Sequence, residues 1–66
     1  MRINLKLART RKRLTQEKAA FLTGVSRVTY NRVENGTSDG TVEFWQAIKR
    51  LFPEETIEHL FKKEDE

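Results

Sequence analysis

The stretch Thr15 to Gly36, TQEKAAFLTGVSRVTYNRVENG, leaves this chain few folds to choose from. Thr15 is a good helix N-cap, and Glu17 places a negative charge in the first turn, where it suits the helix dipole. Ala19, Ala20, Leu22 and Thr23 are small or apolar enough to pack. Gly24 lets the backbone leave the helix with positive φ. Val25 can plug the space behind that turn, Ser26 is a second N-cap, and Asn35-Gly36 is a stop signal. The spacing predicts one helix over Gln16 to Thr23, a tight turn, and a second helix over Arg27 to Asn35.

That ordered set has a family likeness. Gly24-Val25-Ser26-Arg27, then Thr29, then Val33-Glu34-Asn35-Gly36 resembles the helix-turn-helix of the lambda-type repressor and Cro family, also called the Xre family. Thr15-Gln16-Glu17 and Ala20 fit the same pattern, and the likeness runs from about Leu5 to Leu51. The resemblance implies an all-α, five-helix, lambda-repressor-like DNA-binding domain, with the helix-turn-helix at its second and third helices. It also implies an ion pair between Arg9 and Glu34 that ties the first helix to the third. Gln16, at a position where the family commonly has a glutamine, is implied to touch the DNA backbone and brace the recognition helix. Ordinary capping explains a polar residue there equally well.

Charge distribution points the same way. The net charge is +3, but residues 1–36 carry nine bases and two acids, giving +7, and residues 37–66 carry −4. A basic front and an acidic rear suit an oriented approach to a polyanion, although Lys and Arg also simply solvate helices. On the third helix, Tyr30, Val33 and Glu34 face inward, and Arg27, Val28, Asn31 and Arg32 face outward as candidate base readers. Arg27 has the fork to hold guanine O6 and N7, Arg32 can reach a base or a phosphate, and Val28 suits the thymine methyl. Ser26 and Thr29 are candidate phosphate ligands. Arg11 and Arg13 join them, in a basic cluster that C-terminal capping of the first helix explains as well.

The remaining elements follow from periodicity. Ile3 to Lys12 reads as the first helix, with Asn4 as its cap and the pairs Ile3/Leu7 and Leu5/Ala8 on an apolar side. Phe21 either packs on that helix or is exposed as a protein contact. Thr37 to Gly40 is a loop; Asp39-Gly40 replaces the proline usual in the family, and Asp39 repels any phosphate placed beside it. Thr41 to Leu51 reads as a fourth helix whose apolar stripe of Val42, Phe44, Trp45, Ile48, Leu51 and Phe52 is wider than internal packing requires. The spare surface, with Phe44, Trp45, Phe52 and Phe61, is the expected homodimer interface. Pro53 with Glu54 and Glu55 predicts the first turn of a fifth helix bearing Ile57, Leu60 and Phe61.

Residues 1–61 therefore read as one domain and residues 62–66 as a frayed charged tail. There is no cysteine and one histidine, His59, so no metal site or catalytic set is expected. Gly24, Gly36 and Gly40 punctuate helix ends, which leaves no Gly-rich phosphate loop, and neither a cofactor nor a small-molecule effector is expected. No apolar run approaches the roughly 20 residues that span a bilayer, and the N-terminus has no signal-peptide core, so the expected location is the cytoplasm. The function expected is a sequence-specific regulator of double-stranded DNA, a repressor binding a palindromic operator as a dimer. A protein-interaction module on the same fold, an antitoxin or a DNA-bound adaptor, is the alternative; large exposed aromatic surfaces at Phe21, Phe44, Phe52 and Phe61 favour it.

Overall fold

The computed structural model describes residues 1–63. Five helices follow one another: α1 (Ile3–Arg11), α2 (Gln16–Thr23), α3 (Arg27–Asn35), α4 (Val42–Leu51) and α5 (Ile57–Phe61). No helix among the described residues is long and apolar enough to cross a membrane.

Four of the five helices start on a hydroxyl. The side chains of Thr15, Ser26, Thr41 and Thr56 accept from the backbone N–H of Lys18, Thr29, Phe44 and His59 at 3.0–3.1 Å. Each satisfies one of the donors that a helix start leaves without an internal partner. Gly24 and Gly36 close α2 and α3 in the left-handed conformation, with φ of 77° and 88°.

α1 departs from this scheme. Asn4 is not its cap: the Asn4 amide donates to the His59 carbonyl at 3.2 Å, and the N-cap is Arg2, without a side-chain cap bond. Entry is fixed instead by the Arg2 backbone N–H, which donates to the Glu34 carbonyl at 2.8 Å. The helix ends at Arg11 with Lys12 as C-cap, and Arg13 takes a left-handed turn at φ 59°.

The Pro53–Glu55 segment is a turn rather than the first turn of α5. The Glu55 N–H donates to the Phe52 carbonyl at 3.0 Å, and the Lys49 ammonium donates to the Pro53 and Glu55 carbonyls at 3.2 and 2.8 Å. Three acceptors that a helix would have used are thus committed to the turn, and α5 starts later, on Thr56.

α2 packs on α3 and α4, α1 packs on α3 and α5, and α4 packs on α5. Ala19 and Ala20 let the backbones of the two helices of the motif approach closely. Behind them lies a core of Leu5, Ala8, Tyr30, Val33, Phe44, Trp45, Ile48, Phe52 and Leu60. Phe44 and Trp45 meet edge to face at 5.2 Å, an arrangement aromatic pairs prefer.

This core corrects the expected dimer surface. Phe44, Trp45 and Phe52 are buried within the chain's own core, so their area is already used. Of the four residues expected at an interface, Phe61 alone is exposed, and Val42, assigned to the apolar stripe, is 70 % exposed. Leu7 and Leu22 also face outward, because the buried side of α1 is Leu5, Ala8 and Arg9 and that of α2 is Ala19, Ala20 and Thr23. Phe21 lies in solvent at 74 % exposure, with the Lys18 ammonium 5.5 Å from its ring centre. The predicted frayed tail begins with an ordered contact: the Lys63 ammonium lies 3.3 Å from the Asp39 carboxylate. Residues 64–66 of that tail lie outside the described residues.

Candidate nucleic-acid interface

The outer face of α3 is built by elimination. Tyr30, Val33 and Glu34 are buried, so the helix turns Arg27, Val28 and Arg32 to solvent, with Asn31 half-buried between them. These four line one shallow concavity. The Arg27 and Arg32 side chains make no hydrogen bond or ion pair among the described residues. Val28 is 58 % exposed, an apolar side chain between two unpaired cations. At the head of the helix the Ser26 hydroxyl caps Thr29 N–H and donates to the Thr29 hydroxyl at 3.0 Å, so both hydroxyls are exposed at one corner.

Beneath that face runs a polar brace. Arg9 Nε donates to Glu34 Oε2 at 2.8 Å and Nη2 donates to Oε1 at 3.2 Å, a two-pronged pair with both partners buried. The third arm of the guanidinium donates to the Leu14 carbonyl at 2.7 Å, which fixes the α1–α2 connection. The bond to Glu34 raises the Arg9 pKa above its usual value, against the lowering effect of burial. Burial, then the neighbouring Glu34 charge, raises the Tyr30 phenol well above its ordinary value. Its hydroxyl is buried without a hydrogen-bond partner among the described residues.

Gln16 extends the brace to the surface. Its amide nitrogen donates to Glu34 Oε1 at 2.8 Å, and its oxygen accepts from Asn31 Nδ2 at 3.1 Å. Gln16 also shares a groove with Arg9, Thr15, Glu17 and Arg27. The structure thus brings Gln16, Ser26, Arg27, Val28, Thr29, Asn31 and Arg32 to one side of the α2–α3 unit.

The other expected phosphate ligands sit differently. Arg11 Nη1 lies 3.5 Å from Glu55 Oε2, and the Lys12 ammonium donates to the Leu51 carbonyl at 2.8 Å with Glu54 4.0 Å away. Two thirds of the basic cluster is therefore turned to the acidic α4–α5 turn, which offers it counter-ions. Arg13 is exposed and lines neither concavity beside α3.

Arg2 is the residue that sequence reasoning missed. It is fully buried. Its Nε donates to the Phe61 carbonyl at 2.8 Å, Nη1 to the Val33 and Ser38 carbonyls at 2.7 and 2.8 Å, and Nη2 to Asp39 Oδ1 at 2.9 Å. The guanidinium also stacks over Phe61 at 4.5 Å and Trp45 at 5.6 Å. Asp39, expected to repel a phosphate, is held by Arg2 and Lys63, and the Arg2 bond first, then Lys63, lowers its pKa below the usual carboxylate value. The loop after α3 is further pinned by Trp45 Nε1, which donates to the Asp39 carbonyl at 2.7 Å. One signal for Arg2 exists in the sequence: no capping residue precedes Ile3, so something else must start α1.

A family model described as helix-turn-helix matches residues 5–59. No curated protein and no solved structure matches the chain.

Proposed function

The chain belongs to the Xre-like helix-turn-helix family of DNA-binding proteins, and from that premise we propose that it is a sequence-specific repressor of transcription in the cytoplasm. The observation that carries this reading is the division of labour on α3. The inner face is locked into the fold, while Arg27, Val28 and Arg32 stand free on the outer face.

In this reading α3 enters the major groove with its N-terminal half against the base edges. Arg27 grips a guanine, Val28 packs on a thymine methyl, and Arg32 reaches a second base or the phosphate beside it. Ser26, Thr29 and Gln16 hold phosphates and set the register, which gives position rather than sequence information. Two copies bind a palindrome with half-site centres about 10 base pairs apart, or a multiple of that. The second copy docks on the α4–α5 side. There an apolar groove of about 590 Å³ is lined by the exposed Val42, Gln46, Lys49 and Phe61 and the half-buried Ile57, with the buried Trp45 only at its floor.

The test is selection of bound duplexes from a random pool at about 0.15 M salt, where weak surface attraction is screened. An enriched palindromic motif is the expected result, and its spacing reads the dimer geometry. Arg27→Ala is then expected to relax preference at one base pair per half-site, with a loss of about 1–3 kcal/mol. An equal loss on specific and random DNA reduces Arg27 to a phosphate clamp. Retention without enrichment removes sequence specificity from the reading. The exposed Phe21 ring favours one second reading, a protein-interaction module such as an antitoxin or adaptor. Failure to retain any duplex moves that reading to first place.

A further inference from the structure

The side-chain hydrogen bonds that start at Glu34 have a direction. An ionised carboxylate only accepts, so the Gln16 atom 2.8 Å from Glu34 Oε1 is the amide nitrogen. Gln16 Oε1 is thereby turned toward Asn31, whose Nδ2 donates to it across 3.1 Å. Asn31 Oδ1 in turn accepts from Asn35 Nδ2 at 3.0 Å. One buried carboxylate thus sets the orientation of three amides in succession.

The direction decides what each amide has left to offer. An amide nitrogen carries two hydrogens, and each of the three spends one along the chain. Gln16 keeps a second N–H, and the residue lines a groove together with Arg27. Asn31 is placed differently. An asparagine that reads adenine uses its oxygen and its nitrogen together. Here the oxygen already accepts from Asn35 and the nitrogen already donates to Gln16, so both ends of the amide are held within the protein and each has a single site left.

We propose that Asn31 is a positioning residue for Gln16 rather than a base reader. Backed by Asn35, it holds Gln16 Oε1 so that the remaining Nε2–H points to a DNA phosphate, a partner that only accepts. Glu34 alone fixes one end of the Gln16 amide; Asn31 fixes the other and removes the rotamers that turn the free hydrogen away. The inference rests on the DNA-binding reading above.

The experiment is a double-mutant cycle of Asn31→Ala and Gln16→Ala. Affinity is measured on the selected duplex and on versions of it with each base pair changed in turn. N31A is expected to weaken binding about 3- to 10-fold, the worth of one hydrogen bond, equally on every duplex. In the Q16A background N31A is expected to change nothing, whereas a merely structural defect persists there. In the free protein, the Gln16 side-chain amide resonances are expected to shift in N31A. Asn35 is exposed, so Asn35→Ala leaves packing intact. It is expected to give a smaller loss, again absent in the Q16A background. Relaxed preference at one base pair in N31A, or the same loss with and without Gln16, overturns the proposal while leaving DNA binding in place. A wild-type protein that binds no duplex overturns the DNA-binding reading and this proposal with it.

Discussion

Two arginines grip the C-terminal half of α3, and they are kept out of water by different means. Arg9 faces a carboxylate as buried as itself, the side chains being 10 % and 2 % exposed. Arg2 is fully buried, yet its carboxylate partner, Asp39, is 68 % exposed. The Arg2 charge rests mainly on three backbone carbonyls and the faces of two aromatic rings. A buried cation can thus be satisfied by one counter-ion or by many weak dipoles. In the first case the whole arrangement hangs on one residue. In the second the acid is the dispensable part, and the arginine is not.

The largest effect is expected on the side with two buried charges. Glu34→Gln leaves the Arg9 cation without its counter-ion and is expected to cost about 3–5 kcal/mol, read as a lowered melting temperature. An unchanged melting temperature breaks the comparison at its root. Arg2→Ala comes next. It strips the donor from three carbonyls and leaves a void under Trp45 and Phe61, for a loss of about 2–4 kcal/mol by denaturant unfolding. The order sharpens if the loss follows the carbonyls, because Arg2→Lys, with a single donor head, then recovers only part of it.

Asp39→Asn is expected to have the smallest effect. The Asp39 pKa is lowered in the fold, so its contribution is present above the ordinary carboxylate value near 3.8 and is lost as pH falls below that value through the depressed one. Melting temperatures of the wild type and D39N are therefore expected to differ slightly at neutral pH and converge in acid. A D39N defect as large as that of R2A dissolves the distinction between the two arginines.

Local chemistry was legible in the sequence; long-range polar closure was not. Thr15, Gly24, Ser26 and Gly36 announce their helix ends because caps act within four residues, and the structure has them in those roles. The periodicity of α3 separates Tyr30 and Val33 from Arg27 and Val28 for the same reason. Arg2 had only an indirect signal, the missing cap before Ile3, since its side-chain partners lie 31 to 59 residues away and three of them are backbone carbonyls, whose exposure no residue type reveals. The aromatic stripe of α4 was misread for a related reason. Its width looked surplus because the packing supplied by α2 and α5, and by Arg2 itself, was not visible in the pattern. Glu54 and Glu55 imitate a helix start, but Lys49 holds that turn open and Thr56 supplies the cap. On the outer face of α3, residue types pointed to Arg27, Val28, Asn31 and Arg32. They could not show that Asn31 is tied at both ends, which depends on the buried Glu34.

The outward side chains of α3 take no part in holding the fold together. Arg27 and Arg32 have no partners within the described chain, and Val28 lies in solvent. Changing them carries little thermodynamic penalty, because the bracing is done from beneath by Arg9, Gln16 and Glu34. In the DNA-reading role proposed above, a duplicated copy of this gene can therefore drift toward a new target through a series of folded intermediates. Descendants of such a copy would diverge fastest at positions 27, 28 and 32, while the residues under them stayed put.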